Sequence, residues 1–162
     1  MKFVFDLDGV LRNTTGKLCE VHGYAIPHNW DDKYDGLDVF EAVRMDNYNC
    51  VINADPTEYL DTILSYYPEP EIWTSQPDDW KIHTIKWIEK YIGIVPIRFF
   101  GPIGTKLEAL ETEEVALVDD YPRFTNWDEI VQIDRPWNKE SGSLIRVSKP
   151  EELGALISLF GE

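Results

Sequence analysis

The chain has 162 residues, 43% of them hydrophobic and 13% aromatic, enough to bury the core of one domain and to exclude wholesale disorder. Fifteen Lys and Arg against 30 Asp and Glu give a formal charge of −15. That field, with no basic stripe to oppose it, argues against long nucleic acid or an anionic membrane as partner, and no apolar run nears the ~20 residues that span a bilayer.

A small phosphorylated molecule stays admissible, because a metal ion and a few donors can reverse the sign inside one pocket. Cys19 and Cys50 form neither a C-x-x-C pair nor a disulfide framework. The opening Met1-Lys2-Phe3-Val4-Phe5-Asp6 turns acidic too soon for a signal peptide. A reducing, cytoplasmic compartment is the expectation.

Phe3-Val4-Phe5 reads as a buried strand whose carboxyl end meets Asp6-Leu7-Asp8-Gly9. Residues 12–54 are rich in Asp, Asn, Gly and aromatics and lack a clear period. They read as an inserted cap, which leaves 1–11 and 55–162 as the core. Asp55-Pro56 has the form of an N-cap with proline at the first helical position, ahead of a stripe of Leu60, Ile63, Leu64 and Tyr67. A strand at 71–74 precedes an amphipathic helix marked by Trp80, Trp87, Ile88 and Tyr91 and stopped by Gly93.

Further strands are expected at 97–100, 115–119, 130–133 and 144–147, the last beginning at Leu144. Ser148-Lys149-Pro150-Glu151 resembles a capping box before a stripe of Leu153, Leu156, Ile157 and Phe160. Continuous apolar strands alternating with helices predict an α/β domain, a Rossmann-like and mainly parallel sheet flanked by helices. Ligands in such sheets sit at the carboxyl ends of the strands.

Polar residues fall at those ends: Asp6 and Asp8 after the first strand, Thr74 and Ser75 after the second, Asp119 and Asp120 after the fourth, with Lys106 between. Carboxylates crowded on one rim repel unless a divalent cation holds them, and an oxygen-only donor set suits Mg²⁺. Asp6, Asp8 and Asp119 are the expected ligands, with Asp120 behind them orienting the metal's waters. Such a site suits phosphoryl transfer. Lys106, Thr74 and Ser75 would hold the phosphate, Asp6 would attack phosphorus, and Asp8 would protonate the leaving oxygen.

Lys81 and Lys86 are expected to be solvated, and Arg12 to be exposed. Trp30, Tyr34, Phe40 and Tyr48 have two readings, stacking on a base or burying the cap's own small core, and the second is the expectation. His22, His28 and His83 have no metal-ligand spacing. The stretch from Asp134 to Asn138 is expected to pin the C-terminal strand.

Asp6-Leu7-Asp8-Gly9-Val10, Thr74, Lys106 and Asp119-Asp120 resemble, in order and spacing, the four motifs of the haloacid-dehalogenase superfamily. The resemblance covers the core. It implies a haloacid-dehalogenase-like fold, Mg²⁺, an aspartyl-phosphate on Asp6 and, because Asp8 is present, phosphatase rather than dehalogenase chemistry. Trp73-Thr74-Ser75, the run from Thr84 to Gly93, Val118-Asp119-Asp120 and Ile133-Asp134-Arg135-Pro136-Trp137-Asn138 look like the 5'(3')-deoxyribonucleotidase family. Gln76 stands where that family usually has proline, and Lys106 lacks its Arg-x-Lys setting.

The implied substrate is a nucleoside or deoxynucleoside monophosphate. Alternatives are another small phosphorylated metabolite, a phosphate at a nucleic-acid end, or a non-catalytic binding domain of the same fold.

Overall fold

Short apolar runs become buried strands here because helices cover both of their faces. The computed structural model describes residues 1–123, 128–140 and 145–162. Strand β1 (Lys2–Phe5) leads into α1 (Thr14–His22), α2 (Val39–Met45), α3 (Asn49–Asn53) and α4 (Leu60–Tyr66). Strand β2 (Ile72–Ser75) is followed by a 3-10 turn, Asp78–Trp80, and α5 (Lys81–Tyr91), and β3 (Ile97–Phe100) by α6 (Ile103–Thr112). Strands β4 (Val115–Asp119) and β5 (Ile130–Ile133), a 3-10 turn at Pro136–Asn138, β6 (Ile145–Val147) and α7 (Pro150–Phe160) complete the described chain.

The six strands form one sheet in the order β3-β2-β1-β4-β5-β6, every pairing parallel. The fold is therefore the expected Rossmann-like α/β architecture. Alternation along β1 sends Phe3 and Phe5 to one face and Val4 to the other. The first face packs on Ile63 of α4, Trp87 and Ile88 of α5, and Leu153 and Ile157 of α7. The second face, with Trp73 and Leu117, packs on Ala109 and Leu110 of α6. Among the described residues no helix is long and apolar enough to cross a membrane.

Three details differ from the sequence expectation. Helix α4 starts at Leu60, not after Asp55, because the backbone before it is spent on the loop behind β1. Asn13 N–H donates to the Asp55 carbonyl at 2.9 Å and Thr57 N–H to the Leu11 carbonyl at 2.8 Å. At α7 the N-cap is Lys149, and Glu152, rather than Glu151, accepts the Ser148 N–H at 2.7 Å. Phe160 is exposed at the helix end. Leu144 lies outside the described residues. Gly93, at φ 123°, ends α5 as expected, its N–H reaching the Ile88 carbonyl at 2.9 Å.

Residues between β1 and α4 carry a separate apolar cluster of Leu18, Cys19, Tyr34, Val43, Cys50 and Val51, closed by Trp80 from beyond β2. Trp87 is 1% exposed in the main core and donates its indole N–H to the Ala54 carbonyl at 2.8 Å. Truncation there removes both packing and a hydrogen bond. Trp87→Ala should cost about 3–5 kcal/mol in urea unfolding; a loss below about 1 kcal/mol would contradict this packing.

Candidate active site

Strand β1 lies between β2 and β4, and all three run in the same direction, so their carboxyl ends share one rim of the sheet. Asp6 follows β1 directly and is fixed by its N–H on the Val118 carbonyl at 2.9 Å. Asp119 closes β4, and Thr74 and Ser75 close β2. Lys106, on α6, reaches back under the rim. Its Nζ donates to Asp6 Oδ1 at 2.8 Å and to Asp119 Oδ2 at 2.6 Å, and the residue is only 1% exposed.

Asp6, Asp119 and Asp120 each bring a carboxylate oxygen within 4.8 Å of the others. Ionised, they set three negative charges against the one ammonium of Lys106. The excess matches the charge of one divalent cation, and an all-oxygen donor set fits Mg²⁺. The local pKa values carry the same imbalance. Burial, then the Asp119 charge, raises the Asp6 carboxyl well above its ordinary range, against the opposing pull of Lys106. Burial, then Asp119, pushes Asp120 up to about 7, although Trp137 donates to it. Burial alone would depress Lys106, yet Asp119 and Asp6 outweigh it and hold the ammonium above its usual range.

Asp120, expected behind the ligands, supplies an oxygen to the cluster, whereas the Asp8 carboxylate is outside it. Arg12 Nε donates to Asp8 Oδ1 at 2.8 Å, and the Thr14 hydroxyl donates to the same oxygen. Arg12, expected on the surface, is fully buried. Beyond the nearby Asp8 and Thr14, it also donates to the Val51 carbonyl and the Thr84 hydroxyl, 39 and 72 residues away, which no local pattern reveals.

Asp120 is built in from three sides. Trp137 Nε1 donates to its Oδ2 at 2.9 Å, and Asn138 Nδ2 donates to its carbonyl at 2.9 Å and to that of Ile133 at 2.7 Å. Arg135 Nε donates to the Gly9 carbonyl at 2.9 Å. A Cβ on Gly9, whose φ is +85°, would overlap the Asp120 carboxylate. The stretch from Asp134 to Asn138 thus braces the rim as well as the edge strand; the Asp-Arg-Pro-Trp-Asn run was its only sequence signal.

A cavity of about 270 Å³ opens over this rim, lined by Asp6, Asp8, Ser75, Asp120 and, from the segment after β1, Trp30 and Phe40. Ser75 Oγ is buried and has no hydrogen-bond partner among the described residues. Thr74 is 1% exposed, its hydroxyl accepting from Gln76 Nε2 at 3.1 Å, and it is not among the lining residues. Tyr34 and Tyr48 pack with the cap cluster, but Trp30 and Phe40 are 43% and 41% exposed. Lys81 pairs with Asp78, and Lys86 is exposed.

No family model matches the chain, and neither does any curated protein. The class that the fold and site define is an α/β domain with a buried Lys–carboxylate cluster at the carboxyl rim of its parallel sheet.

Because folding raises the pKa values of Asp6 and Asp120, their protons stabilise the cation-free fold below the ordinary carboxylate range. That contribution is lost as pH rises through about 7 at Asp120. In EDTA, the melting temperature should fall from about pH 5 to about pH 8, and Mg²⁺ should restore it mainly at the upper end. A cation-free melting temperature that rises over this range would contradict the site's charge balance.

Proposed function

We propose that the chain is a Mg²⁺-dependent phosphomonoesterase of the haloacid-dehalogenase type, acting on a small phosphorylated substrate, a nucleoside or deoxynucleoside monophosphate. The observation that carries this reading is Lys106 held between Asp6 and Asp119, with Asp6 and Asp8 lining one cavity. Asp6, Asp119 and Asp120 would hold the cation, which when bound supplies positive charge beside a phosphoryl group.

In the first step an Asp6 carboxylate oxygen bonds to phosphorus as the bond to the leaving oxygen breaks. The Asp8 carboxyl gives its proton to that oxygen, and the alcohol departs. In the second, water passes a proton to Asp8 and its oxygen bonds to phosphorus. The Asp6–phosphorus bond then breaks, and inorganic phosphate leaves. One water is consumed and Asp8 ends protonated, as it began. Lys106 would hold Asp6 in place through both steps, and the Ser75 hydroxyl, without a partner among the described residues, would donate to a phosphoryl oxygen.

The nucleotide preference is supported by the half-exposed rings of Trp30 and Phe40 on the cavity wall, which offer aromatic faces to a base. Cytoplasmic residence is part of the proposal; the free, buried thiols of Cys19 and Cys50 suit a reducing compartment.

The purified protein should release p-nitrophenol from p-nitrophenyl phosphate with Mg²⁺ and stop in EDTA. Asp6→Asn should lower turnover by at least about 10³-fold and Asp8→Asn by about 10²–10⁴-fold, with the fold intact by circular dichroism. Wild-type turnover in Asp6→Asn would sink the mechanism.

A further inference from the structure

A fully buried arginine is costly unless its donors are used; Arg12 makes hydrogen bonds from Nε and Nη1, while its buried Nη2 meets the Asp8 charge without a hydrogen bond among the described residues. Its Nε donates to Asp8 Oδ1 at 2.8 Å and to Thr14 Oγ1 at 3.1 Å, and Nη2 forms an ion pair with the same Asp8 oxygen at 2.8 Å. Nη1 is held by the Val51 carbonyl of α3 at 3.4 Å and the Thr84 hydroxyl of α5 at 3.2 Å. The guanidinium carbon also lies 5.7 Å from the centre of the Trp87 ring. Among the described residues every hydrogen bond and ion pair to the Asp8 carboxylate therefore falls on Oδ1, while Asp8 itself lines the cavity.

We infer that Arg12 is a positioning residue: it clamps Asp8 Oδ1 from α3 and α5, so that Oδ2 is the oxygen presented to the substrate's leaving group. The inference rests on the phosphatase reading and adds to it the residue that sets the proton donor's orientation. Thr14 is the second clamp, from the start of α1. A point charge on a flexible stem cannot replace this fork, since one guanidinium spans Asp8, Thr14, Val51 and Thr84 at once.

The diagnostic is the basicity of the leaving group. A misaligned donor hurts release of a basic leaving oxygen far more than release of p-nitrophenolate, which departs without a proton. The experiment measures single-turnover phenol release from p-nitrophenyl phosphate and from phenyl phosphates of increasing leaving-group basicity, for wild type, Arg12→Met, Arg12→Lys and Thr84→Val. Arg12→Met should lose about 10²-fold or more on phenyl phosphate and less than about 10-fold on p-nitrophenyl phosphate.

Arg12→Lys should show the same trend at smaller amplitude. Thr84→Val, which touches neither Asp8 nor the cavity lining, should steepen the dependence by a few-fold. If Arg12→Met does not fold, the lysine and valine variants carry the same comparison. A folded variant set whose losses are equal across the series would overturn the positioning role while leaving the phosphatase reading intact. A wild type inactive on every ester in the series would overturn both.

Discussion

The buried ammonium of Lys106, held between Asp6 and Asp119, is the constraint on which the rest of the site depends. Removing one ammonium and two carboxylates from water costs several kcal/mol each before their attraction returns anything. An apolar trio of the same volume would serve stability as well or better. What the ion cluster provides instead is placement: Asp6 cannot swing out of the rim while Lys106 holds its Oδ1, and Asp119 is tied to the same nitrogen. Asp120 then adds a third carboxyl with no ammonium of its own, and burial, then the Asp119 charge, pushes its pKa up to about 7.

The rim itself follows from topology. Parallel strands place all their carboxyl ends on one edge, and β1 at the centre sets its own acidic turn beside the ends of β2 and β4. The layout was legible in the sequence because β1, β2 and β4 are short, largely apolar runs whose carboxyl ends carry Asp, Thr or Ser, and because both faces are covered, which calls for continuous rather than alternating hydrophobicity. Lys106 was legible among the lysines between the Thr74-Ser75 and Asp119-Asp120 segments because Lys81, Lys86 and Lys90 fall within the helix after the second strand; its position near the start of α6 gives it the reach.

Other features were not legible, for a common reason. Arg12 looks like any surface arginine until Val51 and Thr84, 39 and 72 residues away, close over it. The same clamp holds Asp8, and Trp137 reaches Asp120 from 17 residues downstream. The start of α4 moved to Leu60 because the residues before it hydrogen-bond to the loop after β1. In each case a nonlocal partner, invisible to spacing, overrode a sound local preference. Trp30, Tyr34 and Phe40 all line the cavity, but Tyr34 is buried in the apolar cluster between β1 and α4, whereas Trp30 and Phe40 stay half-exposed.

The overall charge of −15 and the cavity's carboxylates make a bare anion an unfavourable guest, so a phosphorylated ligand depends on a cation bound first. The direct measurement is therefore a titration with Mn²⁺, standing in for Mg²⁺ and followed by its electron paramagnetic resonance signal, on wild type and Asp119→Asn. One saturable site in the wild type, weakened at least about 10-fold by the substitution, is the expected result. A wild type that takes up no ion, or an Asp119→Asn variant that binds it equally well, would show that these acids do not serve a shared cation.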